Sequence, residues 1–239
     1  MSAVAAPKKK SKVRPTMRTG DVVLAGKYRI PPWVVDLESF RRWARSDQYP
    51  ESGWFSYLAG ELWVDLSMEQ AFSHNLVKSC YNFFVGGLVI TEGSGYYFSD
   101  GMLLSNVEAD LSTEPDSMFV SYQTLEKRLA RLIKGAVTGF IELEGRPDMT
   151  LEIVSDSSVQ KDTEILRDLY WRAGIPEYWL VDTRGEKPTF EILRYGVRGY
   201  VAVRPQDGWI KSKVFGRSFQ LTQQLDRLGH PLCTLAIKP

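Results

Sequence analysis

Two stretches decide the fold: Pro147-Asp-Met-Thr-Leu-Glu-Ile-Val-Ser155 and, beyond an intervening run, Ala173-Gly-Ile-Pro-Glu-Tyr-Trp-Leu-Val-Asp182. Met149 to Ser155 carries the apolar run expected of a strand buried on both faces, and Tyr178 to Val181 is a second such strand. Between them Ile165, Leu169 and Ala173 recur at helical spacing, so a helix is predicted from Lys161 to Ala173, stopped by Gly174 and Pro176. Strand, helix and strand with a short exit loop make a βαβ unit with parallel strands and a right-handed crossover. Glu152 sits inside the first of these strands. An unpaired charge there costs several kcal/mol unless a cation or hydrogen-bond donors answer it.

Upstream of this unit, Leu37, Phe40, Trp43 and Ala44 follow helical spacing between Pro32 and Pro50, which predicts a short helix from Leu37 to Arg45. Trp54 to Leu58 and Glu61 to Leu66 flank Ala59-Gly60, a tight hairpin turn. Glu69 to Ile90 is predicted helical, with Leu76, Cys80, Phe83 and Phe84 as its buried stripe and His74, Lys78 and Tyr81 on another face. Strands follow at Gly95 to Phe98, Met102 to Leu104 and Ser117 to Ser121, then a helix from Thr124 to Ile133 and a strand from Gly139 to Leu143. Downstream, Thr189 to Lys213 alternates like a β-meander. No linker-like boundary occurs after Asp21, so residues 21–239 are expected to form a single α/β domain.

The chain has 239 residues, 44% hydrophobic and 25% charged, which excludes disorder throughout. Its net charge of +1 conceals an asymmetry: residues 1–20 hold six basic residues and no acid, leaving 24 basic against 29 acidic groups in the rest. Residues 1–20 are therefore expected to be a disordered basic arm, suited to nucleic acid phosphates or to solubility, on a mildly acidic body. Two cysteines, Cys80 and Cys233, exclude a disulfide framework, and two histidines supply a zinc site poorly. The longest apolar run, Phe83 to Ile90, is too short to span a bilayer, and no secretory h-region follows the lysines. A cytoplasmic location with no membrane partner is expected.

Three acids are candidates for shared chemistry. Asp116 opens a strand after Pro115, Glu152 lies in the buried strand, and Asp162 begins the following helix; together they can offer hard oxygen ligands to Mg²⁺ or Mn²⁺. Each also has a structural reading: an ion pair for Glu152, an Asx-turn for Asp116 and a helix cap for Asp162. A second Pro-Asp pair, Pro147-Asp148, fails on geometry. Asp148 and Glu152 are four residues apart along one strand, about 13 Å at roughly 3.3 Å per residue, whereas Asp116 on another strand can approach Glu152 laterally at about 5 Å.

Gly60-Glu61-Leu62, Ser73-His74-Asn75, Pro115-Asp116, the Pro147–Ser155 stretch, Asp162 with Tyr170, and the Ala173–Asp182 stretch occur in the order and spacing of one family. The chain resembles the Uma-type restriction endonuclease family, a branch of the PD-(D/E)XK nuclease superfamily, from about Phe40 to Leu221. The resemblance implies a restriction-endonuclease-like core, a mixed β-sheet flanked by helices, here with a C-terminal β extension. It implies Asp116 and Glu152 as ligands of Mg²⁺ or Mn²⁺, His74 and Glu61 lining the site, and hydrolysis of DNA phosphodiesters.

The pattern breaks at the lysine that normally assists. In the superfamily that lysine lies two residues after the glutamate, where this chain has Val154. In the family it lies four residues after the aspartate matching Asp162, where this chain has Leu166. Asp162, Leu166 and Tyr170 would share one face of a regular helix. Lys161 is the expected substitute, with Arg167 and Lys78 as other candidates, and Asp162 is expected to position water or to support the metal ligands from behind. If none replaces it, the fold would be a degenerate nuclease that binds DNA or a protein partner without hydrolysis. A third reading is a carboxylate-pair hydrolase with another substrate. DNA is the expected partner, and a homodimer is compatible with the sequence. Tyr170, Tyr178 and Trp179 are expected in the core, and His230 on the surface.

Overall fold

The computed structural model describes residues 21–136 and 139–239; the basic arm expected over residues 1–20 lies outside them. Two six-stranded sheets form the framework. The first runs in the order Glu61–Asp65, Trp54–Leu58, Leu111–Thr113, Leu103–Asn106, Phe140–Gly145 and Ala130–Lys134. The second runs in the order Val201–Ala202, Thr189–Arg194, Glu177–Asp182, Met149–Ile153, Ser117–Ser121 and Gly95–Phe98. A three-stranded sheet of Ile210–Lys211, Ser218–Leu225 and Pro231–Lys238 supplies the expected C-terminal β extension.

The βαβ unit is present as predicted. Met149–Ile153 pairs in parallel with Glu177–Asp182, and the helix between them runs from Lys161 to Arg172. Both faces of this sheet are covered, which is why its strands are apolar on both sides. Met149, Leu151, Ile153, Trp179 and Val181 pack with Val77, Tyr81, Val85 and Val89 of the long helix and with Phe219 and Leu235 of the C-terminal sheet. Val154, Tyr178 and Leu180, from the opposite face, pack with Leu166, Leu169 and Tyr170 of the crossover helix and with Leu104, Leu111 and Leu143 of the first sheet. Glu177 pins the C-terminal sheet: its buried carboxylate accepts hydrogen bonds from the Ser212 hydroxyl and the Lys213 N–H, each at 2.6 Å.

The Leu37–Ala44 helix starts at a capping box in which Asp36 accepts from the Ser39 N–H at 2.8 Å. It is tied to the first sheet by Arg41, whose Nε donates to the fully buried Glu142 at 2.5 Å. In the Trp54–Asp65 hairpin, Ala59 and Gly60 both have positive φ, 50° and 91°, as a type I′ turn requires.

Two expectations need correction. The predicted Thr124–Ile133 helix ends after Tyr122–Glu126, because Arg128 turns left-handed at φ 57° and Ala130–Lys134 joins the first sheet as its edge strand. Leu125, Leu129, Leu132 and Ile133 fit helical spacing, but antiparallel pairing with Phe140–Gly145 and the Arg131–Glu144 contact win over that periodicity. The long helix spans 71–92 in four contiguous segments, but its buried face is not the predicted stripe. Phe83 is 74% exposed and Leu76 38%, while His74, Val77, Lys78, Tyr81, Val85 and Val89 face inward. Polar His74 and Lys78 are buried because carboxylates beneath the helix answer them, a reason periodicity of apolar residues does not register.

Candidate active site

Antiparallel pairing of Ser117–Ser121 with Met149–Ile153 sets Ser117 opposite Leu151, so the next residue of each strand in that register brings Asp116 beside Glu152. The Ile153 N–H donates to Asp116 Oδ2 at 2.7 Å and fixes this carboxylate at the end of the strand. Asp116 and Glu152 both line one pocket, together with Asp65, Glu69, His74, Asp100, Glu114, Ser158, Lys161 and Asp162.

Glu152 is 2% exposed, and Oε1 accepts a hydrogen bond from the Tyr170 hydroxyl at 2.5 Å. Burial pushes its carboxyl well above the usual range; Lys161 opposes this, and Asp162 and Asp116 add to it by repulsion. Asp162 is also buried and is pushed up to about 6, chiefly by burial, against the Lys161 charge and the Ser158 hydroxyl that donates to Oδ2. Its Oδ1 has no hydrogen-bond partner and lies 3.5 Å from Lys161 Nζ. Burial alone would weaken the Lys161 ammonium, but Asp162, Glu152 and Asp116 hold its pKa above the usual lysine value, so it stays charged.

The helix start explains how Lys161 arrives there. Lys161–Ile165 is a π-helical turn, closed by the Leu166 N–H bonding to the Lys161 carbonyl, with Leu166–Arg172 continuing as α-helix. The wider turn sets Lys161 one hydrogen-bonded turn before Leu166 and so brings it to the pocket beside buried Asp162. The face predicted for Asp162, Leu166 and Tyr170 is kept, all three being buried, and Lys161 is added at its edge. Leu166 itself is fully buried in the core, and Arg167 lies outside the pocket, beside Glu164, Asp168 and Trp171. Such single π-turns recur at functional sites because they re-aim one side chain without ending the helix.

On the other side of Asp116, Lys78 is 6% exposed. Its Nζ lies 3.1 Å from Asp116 Oδ1, 2.6 Å from Glu69 Oε1 and 3.1 Å from Asp100 Oδ2. His74 Nε2 is 3.4 Å from Asp116 Oδ2, while its Nδ1 is buried without a hydrogen-bond partner. Burial would raise the Asp116 pKa, but the His74 hydrogen bond and the charges of His74 and Lys78 hold it below the usual aspartate range.

The structure therefore brings Asp116, Glu152, Asp162, Lys161 and His74 together. Glu61 is the exception. It is exposed beside the hairpin turn and does not line the pocket; Asp65 does, four residues and about 13 Å further along the same strand. The strand's turn end lies away from the acids, so Asp65 rather than Glu61 borders the pocket. Asp148 is likewise remote: it accepts from the Ser121 N–H at 2.7 Å and the Thr124 hydroxyl at 2.8 Å. Tyr170, Tyr178 and Trp179 are core residues, and exposed His230 stacks on Phe72. Glu69, Asp65 and Asp100 were not singled out from sequence; the cue available was Lys78, a lysine in phase with the buried Tyr81 and Val85 that demanded carboxylate partners.

The donor set fits a divalent cation. Burial first, and repulsion from neighbouring carboxylates second, push Glu152 and Asp162 toward protonation, and Asp162 Oδ1 has no hydrogen-bond partner. A hard cation between Asp116 and Glu152, which the strand register sets side by side, would relieve that crowding and take oxygen ligands from both.

The sequence matches the Uma2 family, described as "Putative restriction endonuclease", over residues 37–224. No curated protein matches it. Among solved structures, it is similar to that of "a putative nuclease belonging to DUF820 from Anabaena variabilis". That protein is 18% identical, with a TM-score of 0.56 over 76% of this chain and 91% of the other. At that identity the likeness establishes a shared fold, a mixed α/β architecture of restriction-endonuclease-like type. With most of its length matched, the chain belongs to the Uma2 restriction endonuclease family.

Proposed function

We propose that the protein is a metal-dependent endonuclease that hydrolyses DNA phosphodiester bonds, with Mg²⁺ or Mn²⁺ held by Asp116 and Glu152. The observation that carries this reading is the convergence of Asp116, Glu152, Asp162 and Lys161, from two strands and a π-turned helix, on one pocket. A divalent cation bound there supplies charge to the phosphate oxygens and makes water nucleophilic at neutral pH.

The chain's own residues do the rest. Asp116 is kept ionised and oriented by the Ile153 N–H, His74 and Lys78. Tyr170 holds one Glu152 oxygen, leaving the other for the cation. Lys161 presents a permanent positive charge to the phosphate, and Asp162, anchored by Ser158, keeps that ammonium at the pocket wall. His74 borders Asp116 and lines the pocket.

The test is cleavage of supercoiled and single-stranded DNA in Mg²⁺ and in Mn²⁺ by the wild type and by Glu152→Gln, with fold verified by circular dichroism. Metal-dependent cutting lost in Glu152→Gln is the expected result. A wild type that binds DNA but cuts neither substrate at any metal concentration would overturn the reading in favour of a non-hydrolytic binding module.

A further inference from the structure

We propose that Lys78 is a built-in cation filling what would otherwise be a second metal position, between Glu69, His74 and Asp116, so that the site takes a single divalent ion. This rests on the metal-dependent reading above. Glu69, His74 and Asp116 each offer a ligand atom, all within 4.8 Å of one another, a spacing suited to metal coordination. The Lys78 ammonium touches two members of that set, at 2.6 Å from Glu69 Oε1 and 3.1 Å from Asp116 Oδ1, and reaches Asp100 at 3.1 Å as well. A divalent ion bound to the same oxygens at the usual 2.0–2.6 Å or so would overlap the ammonium or be repelled by it.

His74 is the independent sign that this is a ligand set. It is 8% exposed, and its buried Nδ1 has no hydrogen-bond partner but points toward Glu69, 3.6 Å from Oε1. A buried ring nitrogen left unpaired beside a carboxylate is what a metal position vacated in favour of a lysine would leave. Asp116 is shared by the two positions: Oδ1 faces Lys78 and Oδ2 faces the Ile153 N–H. In two-metal hydrolases a shared carboxylate bridges two cations. Here one of the two charges would be a covalently attached ammonium, which occupies its place at every metal concentration.

The test is metal stoichiometry on the full chain, read by Mn²⁺ titration with calorimetry and electron paramagnetic resonance. Wild type is expected to bind one Mn²⁺, and Lys78→Gln two, with a spin-coupled signal from the pair. Glu69→Gln, which keeps the lysine and removes one second-position ligand, should still bind one, and the Lys78→Gln, Glu69→Gln double variant should return to one. Two ions on the wild type, or one on a folded Lys78→Gln, would overturn the proposal. Should Lys78→Gln fail to fold, Lys78→Met is read in its place, two ions upholding the proposal and one refuting it. A wild type that binds none while Lys78→Gln gains one would sink the metal-nuclease reading and leave the role of Lys78 standing; none on either would sink both.

Discussion

Replacing Lys161 with methionine removes the ammonium beside Asp162 while keeping most of the side chain's length and its apolar stem. The charge lies 3.5 Å from Asp162 Oδ1, and the side chain is 21% exposed. For a phosphate at about 4 Å, one unit charge at an effective dielectric constant of about 20 is worth about 4 kcal/mol. Partial exposure reduces this to roughly 3 kcal/mol, and at about 1.4 kcal/mol per tenfold the predicted loss in single-turnover cleavage is about 10²-fold. The same change should leave Mn²⁺ affinity equal or higher, because a like charge beside the metal position has gone. Plasmid nicking in Mg²⁺ and Mn²⁺ titration on the same preparation separate the two effects. Cleavage within about threefold of wild type would refute the electrostatic role, and a parallel loss of metal binding would show that Lys161 holds the acids in place rather than serving the phosphate.

Three further outcomes follow from the packing. Leu166→Lys, which would restore the family's lysine in the sequence, should destabilise the protein by more than about 4 kcal/mol in urea unfolding without raising activity, since Leu166 is wholly buried in the core; higher cleavage at unchanged stability would show that position 166 reaches the pocket. Asp36→Ala, which removes the cap on the Leu37–Ala44 helix, should cost about 1 kcal/mol, or about 2–4 °C in Tm. Hydrogen bonding to Ser39 lowers the Asp36 pKa, so the cap's contribution is present above the ordinary aspartate range and is lost as pH falls through the folded-state value; the gap between the two proteins' thermal melts should therefore begin to narrow near about pH 4 and close as pH falls further, and a gap that does not narrow with falling pH would exclude the carboxylate as its source. Ala59→Gly should stabilise the Trp54–Asp65 hairpin by about 0.5–1 kcal/mol, because alanine holds a φ of 50° that glycine adopts without strain; a drop in Tm would refute this.

Much of the candidate site's arrangement was legible because strands impose a simple geometry. A glutamate inside an apolar strand had to be answered, a four-residue offset excluded Asp148, and lateral pairing left Asp116 as its neighbour. The helix face was not legible. Apolar periodicity favoured Leu76 and Phe83, and the packing buried His74 and Lys78 because Glu69, Asp100 and Asp116 compensate them. The same reasoning placed Glu61 at the site on a motif match, although the length of one strand separates it from the acids that Asp65 joins.

By itself the sequence determined the βαβ unit, the strands that carry Asp116 and Glu152 and the family that shares them, since these follow from local periodicity and residue spacing. Only the tertiary structure decided where the positive charges sit. Whether a helix opens with a π-turn, and so whether Lys161 reaches the face that Asp162 shares with Leu166 and Tyr170, depends on one extra residue in a hydrogen-bonded turn. That choice is made by the core closing on Leu166 and the acids drawing in Lys161, interactions between residues distant in the chain that no local pattern encodes.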